Sequence, residues 1–143
     1  MAITTAMCNT FKQELLGGVH DLDTDSLKIA LIKASPTGDY DASTTNYSDL
    51  GSDEATGTNY SAGGQALDSA TITLSGTTAF VDFADEVFSN LTISADGALI
   101  YNTSQANKSI AVFNFGSTVT STAGDFTVIF PTADASNAVI RIT

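Results

Sequence analysis

The sequence predicts a mainly β protein: an antiparallel β-sandwich or barrel with one short N-terminal helix. Three observations lead there. Short apolar or alternating runs recur at close spacing from Leu27 to Ile142, each bounded by Gly, Asn, Ser or Pro; this is the pattern of antiparallel strands joined by turns. Helical spacing is confined to residues 1–20. The stretch Leu91–Gly116 holds two β-branched and aromatic runs, Ala98–Tyr101 and Ser109–Phe115, around a polar loop, Asn102–Lys108. Both runs are apolar on both faces, so the sequence places this hairpin centrally, with Leu99, Tyr101, Val112 and Phe115 holding the sandwich and the loop as an exposed tip. A chain of 143 residues suits a single domain, 1–143, and is long enough to bury a core without covalent staples.

Taken in order, residues 1–20 form the helical segment. Asn9 or Thr10 caps it, Phe11, Leu15 and Leu16 share a face, and Gly17-Gly18 stops it. So short a helix is marginal alone and must pack on something. Asp21–Ser26 is an acidic turn. Leu27–Lys33 (LKIALIK) alternates, with Leu27, Ile29 and Leu31 on one face, and Pro36 ends it. Residues 35–65 are rich in Gly, Ser, Thr, Asp and Asn, yet Tyr40, Tyr47, Leu50 and Tyr60 recur within them. A structureless loop of that length is unusual in a compact domain, so the expectation is a long ordered loop pinned by its aromatic residues. Ala66–Ser75 alternates through Ala70, Ile72 and Leu74 and makes a hairpin with Ala79–Phe83. Asn90–Ser94 links into the central hairpin, Asp125–Phe130 is a strand stopped by Pro131, and Val139–Ile142 closes the fold.

Charge narrows the partners. With 16 acidic and 5 basic residues the net charge is −11. Binding to phosphate backbones needs clustered Lys and Arg, so no direct nucleic-acid partner is expected, and an anionic membrane is disfavoured for the same reason. A positively charged protein surface suits this balance. Cys8 is the only cysteine, which rules out an intrachain disulfide and fits folding in a reducing cytoplasm. The opening Met-Ala-Ile-Thr-Thr-Ala-Met reads as no signal peptide, and no apolar run approaches the roughly 18 residues a spanning helix needs.

The chemistry-bearing residues do not assemble into a catalytic pattern, and the expectation is that the chain is not an enzyme. Asp21, Asp23 and Asp25 alternate like the start of a calcium loop, but Ser26 stands where such a loop needs Gly and Ile32 where it needs Glu. Asp82, Asp85 and Glu86 read as a solvated strand end. His20, the only histidine, falls just past the helix C-terminus, where its charged form is favoured locally; one His and one Cys exclude the common zinc patterns. No nucleophile elbow or phosphate-cradling glycine motif occurs. No catalytic, cofactor-binding or metal-ligating residue is therefore assigned, and no cofactor is expected. Tyr40, Tyr47 and Tyr60 allow one binding alternative, since an aromatic ring with a polar tip suits a sugar.

Several phrases together resemble a family of small bacteriophage virion proteins. They are Ala2–Gly17, Ser26–Ile32, Asp41–Tyr47, Thr58–Leu67, Ser89–Ile93 followed by Gly97–Asn102, then Gly124–Val128 and Val139–Ile142, spanning nearly the whole chain. The resemblance implies a virion structural protein, first of all a capsid decoration (cement) protein on the head exterior. Its implied partner is the major capsid protein, its implied state a homo-oligomer, a trimer, and its implied location the capsid surface after assembly in the cytoplasm of the bacterial host. A tail-associated structural protein, or an adhesin-like module contacting host surface glycans, is the alternative.

Overall fold

Alternation on Leu27–Lys33 and the tight turns between later strands produce two antiparallel sheets and one short helix. The computed structural model describes residues 2–143. In chain order the elements are β1 (Ala6–Met7), α1 (Asn9–Leu16), β2 (Leu27–Lys33), a 3₁₀ helix (Tyr47–Asp53), β3 (Gln65–Ala66), β4 (Thr71–Ser75), β5 (Thr78–Asp82), β6 (Glu86–Asn102), a 3₁₀ turn (Thr103–Gln105), β7 (Lys108–Val128) and β8 (Ile140–Ile142). The larger sheet runs β1-β7-β6-β2-β3 and the smaller β4-β5-β8. The sheets do not close into a barrel, so the sandwich is the expected alternative that is realised. Val81 and Ile140 of the small sheet, with Phe83 just past β5, share one core with Leu27, Ile29, Leu31, Leu99, Ile100 and Val112 of the large one.

The hairpin is the centre of the large sheet, as its residues predict, but it is far longer than its two apolar runs. Leu99, Ile100, Tyr101, Ile110, Ala111 and Val112 are buried, each large one contributing roughly 1.5–3 kcal/mol on leaving water. Beyond them the two strands continue as a ribbon, from Gly97↔Asn114 out to Glu86↔Val128. Asn90–Ser94, expected as a link, is therefore strand, and Asp125–Phe130 is not a separate strand: its first part is the end of β7. Phe115, expected at the core, is only half-buried. The ribbon is irregular. Between Ala95↔Val119 and Gly97↔Asn114 the register slips, so that Asp96 alone stands opposite residues 115–118. Its carboxylate fills that bulge, accepting from Ser35 N–H at 2.8 Å and Thr118 Oγ1 at 2.5 Å.

Four other expectations change. The helix covers only Asn9–Leu16, with Cys8 rather than Asn9 or Thr10 in the capping position and no side-chain cap; the residues before it are drawn out to pair with β7 at Ala6↔Val112 and Met7↔Ala111. Of its apolar residues Phe11 is fully buried while Leu16 is 92 % exposed. The run Ala66–Ser75 divides between the sheets, β3 pairing with β2 and β4 with β5. On β2 both faces are buried, Ala30 and Ile32 as well as Ile29 and Leu31, and β6 and the loop at Glu54–Ala55 bond along its two edges. Finally the tip 102–108 is not free: Asn102 is fully buried, Tyr47 N–H donates to Asn107 O, and Asn46 bridges to Lys108.

The β4–β5 hairpin follows the sequence closely. Gly76 takes φ 61° at the first of two loop positions, which is what a type II′ turn demands. No helix is long and apolar enough to cross a membrane among the described residues.

Candidate functional site

Two adjacent carboxylates, Asp53 and Glu54, organise the long loop. Asp53 ends the 3₁₀ helix, which Asn46 starts with a capping box to Asp49. Its buried carboxylate pairs with Lys33 Nζ at 2.8 Å and accepts from Thr37 N–H at 3.0 Å, Gly38 N–H at 2.8 Å and Tyr40 O–H at 2.8 Å. Burial alone would raise its pKa, but Lys33 and these donors outweigh burial and hold the carboxyl well below the usual range. Glu54 accepts from the hydroxyls of Tyr47 and Tyr60, the latter at 2.9 Å, and from Gly63 N–H at 2.6 Å. Tyr60 in turn accepts from Leu31 N–H at 2.9 Å, and Tyr101 donates to Gly63 O at 2.6 Å. The rings of Tyr47 and Tyr101 stack at 4.6 Å. Burial and the neighbouring carboxylates raise the pKa of Tyr40, Tyr47 and Tyr60 alike.

These tyrosines thus tie the loop to the sheet, and all three hydroxyls point inward. Replacing Tyr60 with Phe is expected to destabilise the fold by about 1–3 kcal/mol, because Leu31 N–H then lacks its acceptor. The urea midpoint should fall with the slope unchanged; an unaltered midpoint would show that water replaces the hydroxyl.

His20, Asn102 and the acidic turn meet at the other end of the core. The buried His20 ring has Nε2 at 2.7 Å from Glu14 Oε2 and Nδ1 at 3.0 Å from Asn102 Nδ2. Asn102 Nδ2 also donates to Asp25 Oδ2 at 2.7 Å, and its Oδ1 accepts from Ser104 N–H at 3.0 Å. That bond is the chief reason the Asp25 carboxyl sits below its ordinary value. Lys108 Nζ lies 3.4 Å from Glu14 Oε1. The knot joins helix, turn and hairpin tip. Elsewhere in the turn, Asp21 Oδ1 accepts from Asp23 and Thr24 N–H, so it closes the turn on itself. Among the described residues no group of three His, Cys, Asp or Glu is arranged to hold a metal ion. Cys8 is buried and burial raises its thiol pKa, which makes it a poor nucleophile.

Of the three acids expected at a solvated strand end, Asp82 ends β5 half-buried and Asp85 is exposed, whereas Glu86 is buried. Asp85 accepts from Phe130 N–H at 2.9 Å. Glu86 is buried against Gln65 Nε2, and burial raises its pKa. Glu86 thus ties β6 to Gln65 of β3, and Asp85 ties the segment before β6 to the one after β7.

What remains open to a partner is surface made of strand. On its outer side the first part of β7 is engaged by Thr45 and Asn46 at residues 108–109, by β1 at residues 111–112 and by Thr5 and Ile3 at Asn114, while beyond Asn114 β6 is its sheet partner among the described residues, so its far part is a free sheet edge. Residues 109–124 are the longest uncharged run in the chain, and Val119 is 40 % exposed. No protein-family model, curated protein or solved structure matches this chain. The second open surface lies on the small sheet. Leu15, Leu22, Ile72, Val81, Ile140 and Ile142 line an apolar cleft of about 380 Å³ between α1 and the β4-β5-β8 face. β4 alternates in the sequence as a strand with one apolar face, and in the fold Ile72 and Leu74 are 54 % and 74 % exposed. The free edge of β7 was illegible in the sequence: a run of Ser and Thr hides a long strand. The absence of Lys and Pro from 109–124 was the one signal that could have found it.

Proposed function

We propose that this chain is a structural protein of a bacteriophage particle, a capsid decoration protein seated on the major capsid protein at the head exterior and assembled in the host cytoplasm. The family resemblance supports the class. One observation supports the mode of attachment: the free, uncharged outer edge of β7. Natural proteins blunt such edges with Lys, Pro or covering loops, and residues 109–124 contain neither Lys nor Pro. An extended segment of a shell protein can add to this edge through main-chain hydrogen bonds, with no charge to desolvate on this side. The rest of the acidic surface attracts a basic shell and keeps the free protein soluble.

The test is to image purified particles and measure copy number, then to rebind the purified protein to particles lacking it. Decoration predicts density on the head at symmetry-related positions and a copy number that scales with the capsomers. Val119→Lys, at an exposed position on the edge strand, is expected to weaken rebinding about tenfold while leaving the thermal midpoint of the free protein unchanged. Density confined to the tail overturns the head assignment, and undiminished rebinding by Val119→Lys overturns the attachment edge.

A further inference from the structure

The small sheet has its own open edge, and its sequence is complementary to itself. β4 is an outer strand whose only sheet partner is β5, and all five of its residues are exposed. Residues 69–81 carry no charge, in a chain whose net −11 sets two copies against each other over most faces. Ser75↔Thr78 flanks the two-residue turn, and in such a hairpin that pair exchanges both backbone bonds. Alternation then directs the backbone groups of Thr71, Thr73 and Ser75 to β5, and those of Ile72 and Leu74 to the open side.

We propose that two copies of this chain pair through β4, antiparallel, about a two-fold axis at Thr73. In that register Ile72 stands opposite Leu74 of the second copy, and Leu74 opposite its Ile72, as bonded pairs with side chains on one face. Thr71 stands opposite Ser75 and Thr73 opposite Thr73 on the other face. Aliphatic pairs and Thr–Thr or Thr–Ser pairs are favourable cross-strand neighbours; here every position finds one, and a shift by one residue would set Thr against Ile. The paired sheets become one six-stranded sheet, and its joined apolar face covers the exposed Ile72 and Leu74. The contact is isologous and closed, so it makes a dimer rather than the trimer the family resemblance implies. It does not depend on the virion assignment.

Light scattering or sedimentation of the full chain in solution, across a concentration series, tests it without any particle. The expected mass at high concentration is twice the 14.8 kDa of one chain. Leu74→Lys sets a charge opposite Ile72 twice per dimer and is expected to raise the dissociation constant about tenfold or more. The double variant Ile72→Lys with Leu74→Glu sets a cation opposite an anion at both pairs, and is expected to recover the dimer that either single change loses. Circular dichroism melts show whether each variant folds; both positions are exposed, so the monomer should hold. A wild type that stays monomeric or forms a trimer overturns the proposal, and so does a double variant no better than the singles, since mere burial of an apolar patch would not respond to register.

Discussion

Gly64→Ala is expected to lower stability by roughly 2–5 kcal/mol, one of the largest single effects outside the core. A β-carbon there would lie 1.8 Å from Ile29 O, 2.6 Å from its carbonyl carbon and 2.8 Å from Ala30 Cα. All three are backbone atoms of β2, the strand enclosed on both faces, so no side chain can swing aside. Overpacking of this kind costs about 1–3 kcal/mol, and the left-handed φ of 76° adds about 1–2 kcal/mol for a residue with a β-carbon. The structural outcome is loss of β3 from β2, where Lys28↔Ala66 and Ile29↔Gln65 now pair. Gly76→Ala separates the two contributions. Gly76 also has positive φ but nothing within 4 Å of its would-be β-carbon, so it should lose only the backbone term, about 1–2 kcal/mol. Equal urea midpoints for the two variants would refute the steric account.

Asp53→Asn should cost roughly 3 kcal/mol at neutral pH, as breaking a buried pair strands its partner. Lys33 keeps partial access to water, which sets the lower end of the usual range for such losses. The pH dependence is the sharper test. The folded pKa of Asp53 is depressed, so above the ordinary aspartate value of about 3.9 its stabilisation is complete. As pH falls below that value the unfolded chain takes up the proton first, and stability declines until the folded carboxyl is protonated too. The midpoints of wild type and Asp53→Asn should therefore converge between about pH 5 and 2. A gap that stays constant over that range would mean that shape, not charge, makes Asp53 necessary.

The parts of this fold legible in sequence are those where one residue pattern answers to one structural cause. Gly76 with the alternating residues beside it predicts the β4–β5 hairpin, and the double-sided apolar runs 98–101 and 109–115 predict the centre of the sheet, although burial stops short of Phe115. The length of β6 and β7 is hidden because bulges change the phase of alternation. Buried positions fall at Glu86 and Phe88, then at Leu91, Ile93 and Ala95, with Asn90 at φ 52° taking up the slip. Read with a fixed period of two, that stretch looks like a turn. The loop 35–65 is legible as ordered through its tyrosines, but not the carboxylates that hold them: nothing local distinguishes Asp53 and Glu54 from the solvated acids of the same chain. Ile72 and Leu74 show a different limit. Alternation reports that a strand has an apolar face, but not what will cover it.

The pairing of β1 with the first part of β7 also sets an order of events. Hairpins close within about 1–10 μs, so the turn at residues 103–107 lets β6 and β7 zip outward as soon as both exist. β1 cannot join until Ala111 and Val112 are in place, and Asn114 must also be present to donate to Ile3 O. During synthesis the first strand made is thus among the last to find its seat. Until then the neighbouring Phe11 has no finished core to enter, and the nascent chain carries that exposed ring through most of its own production.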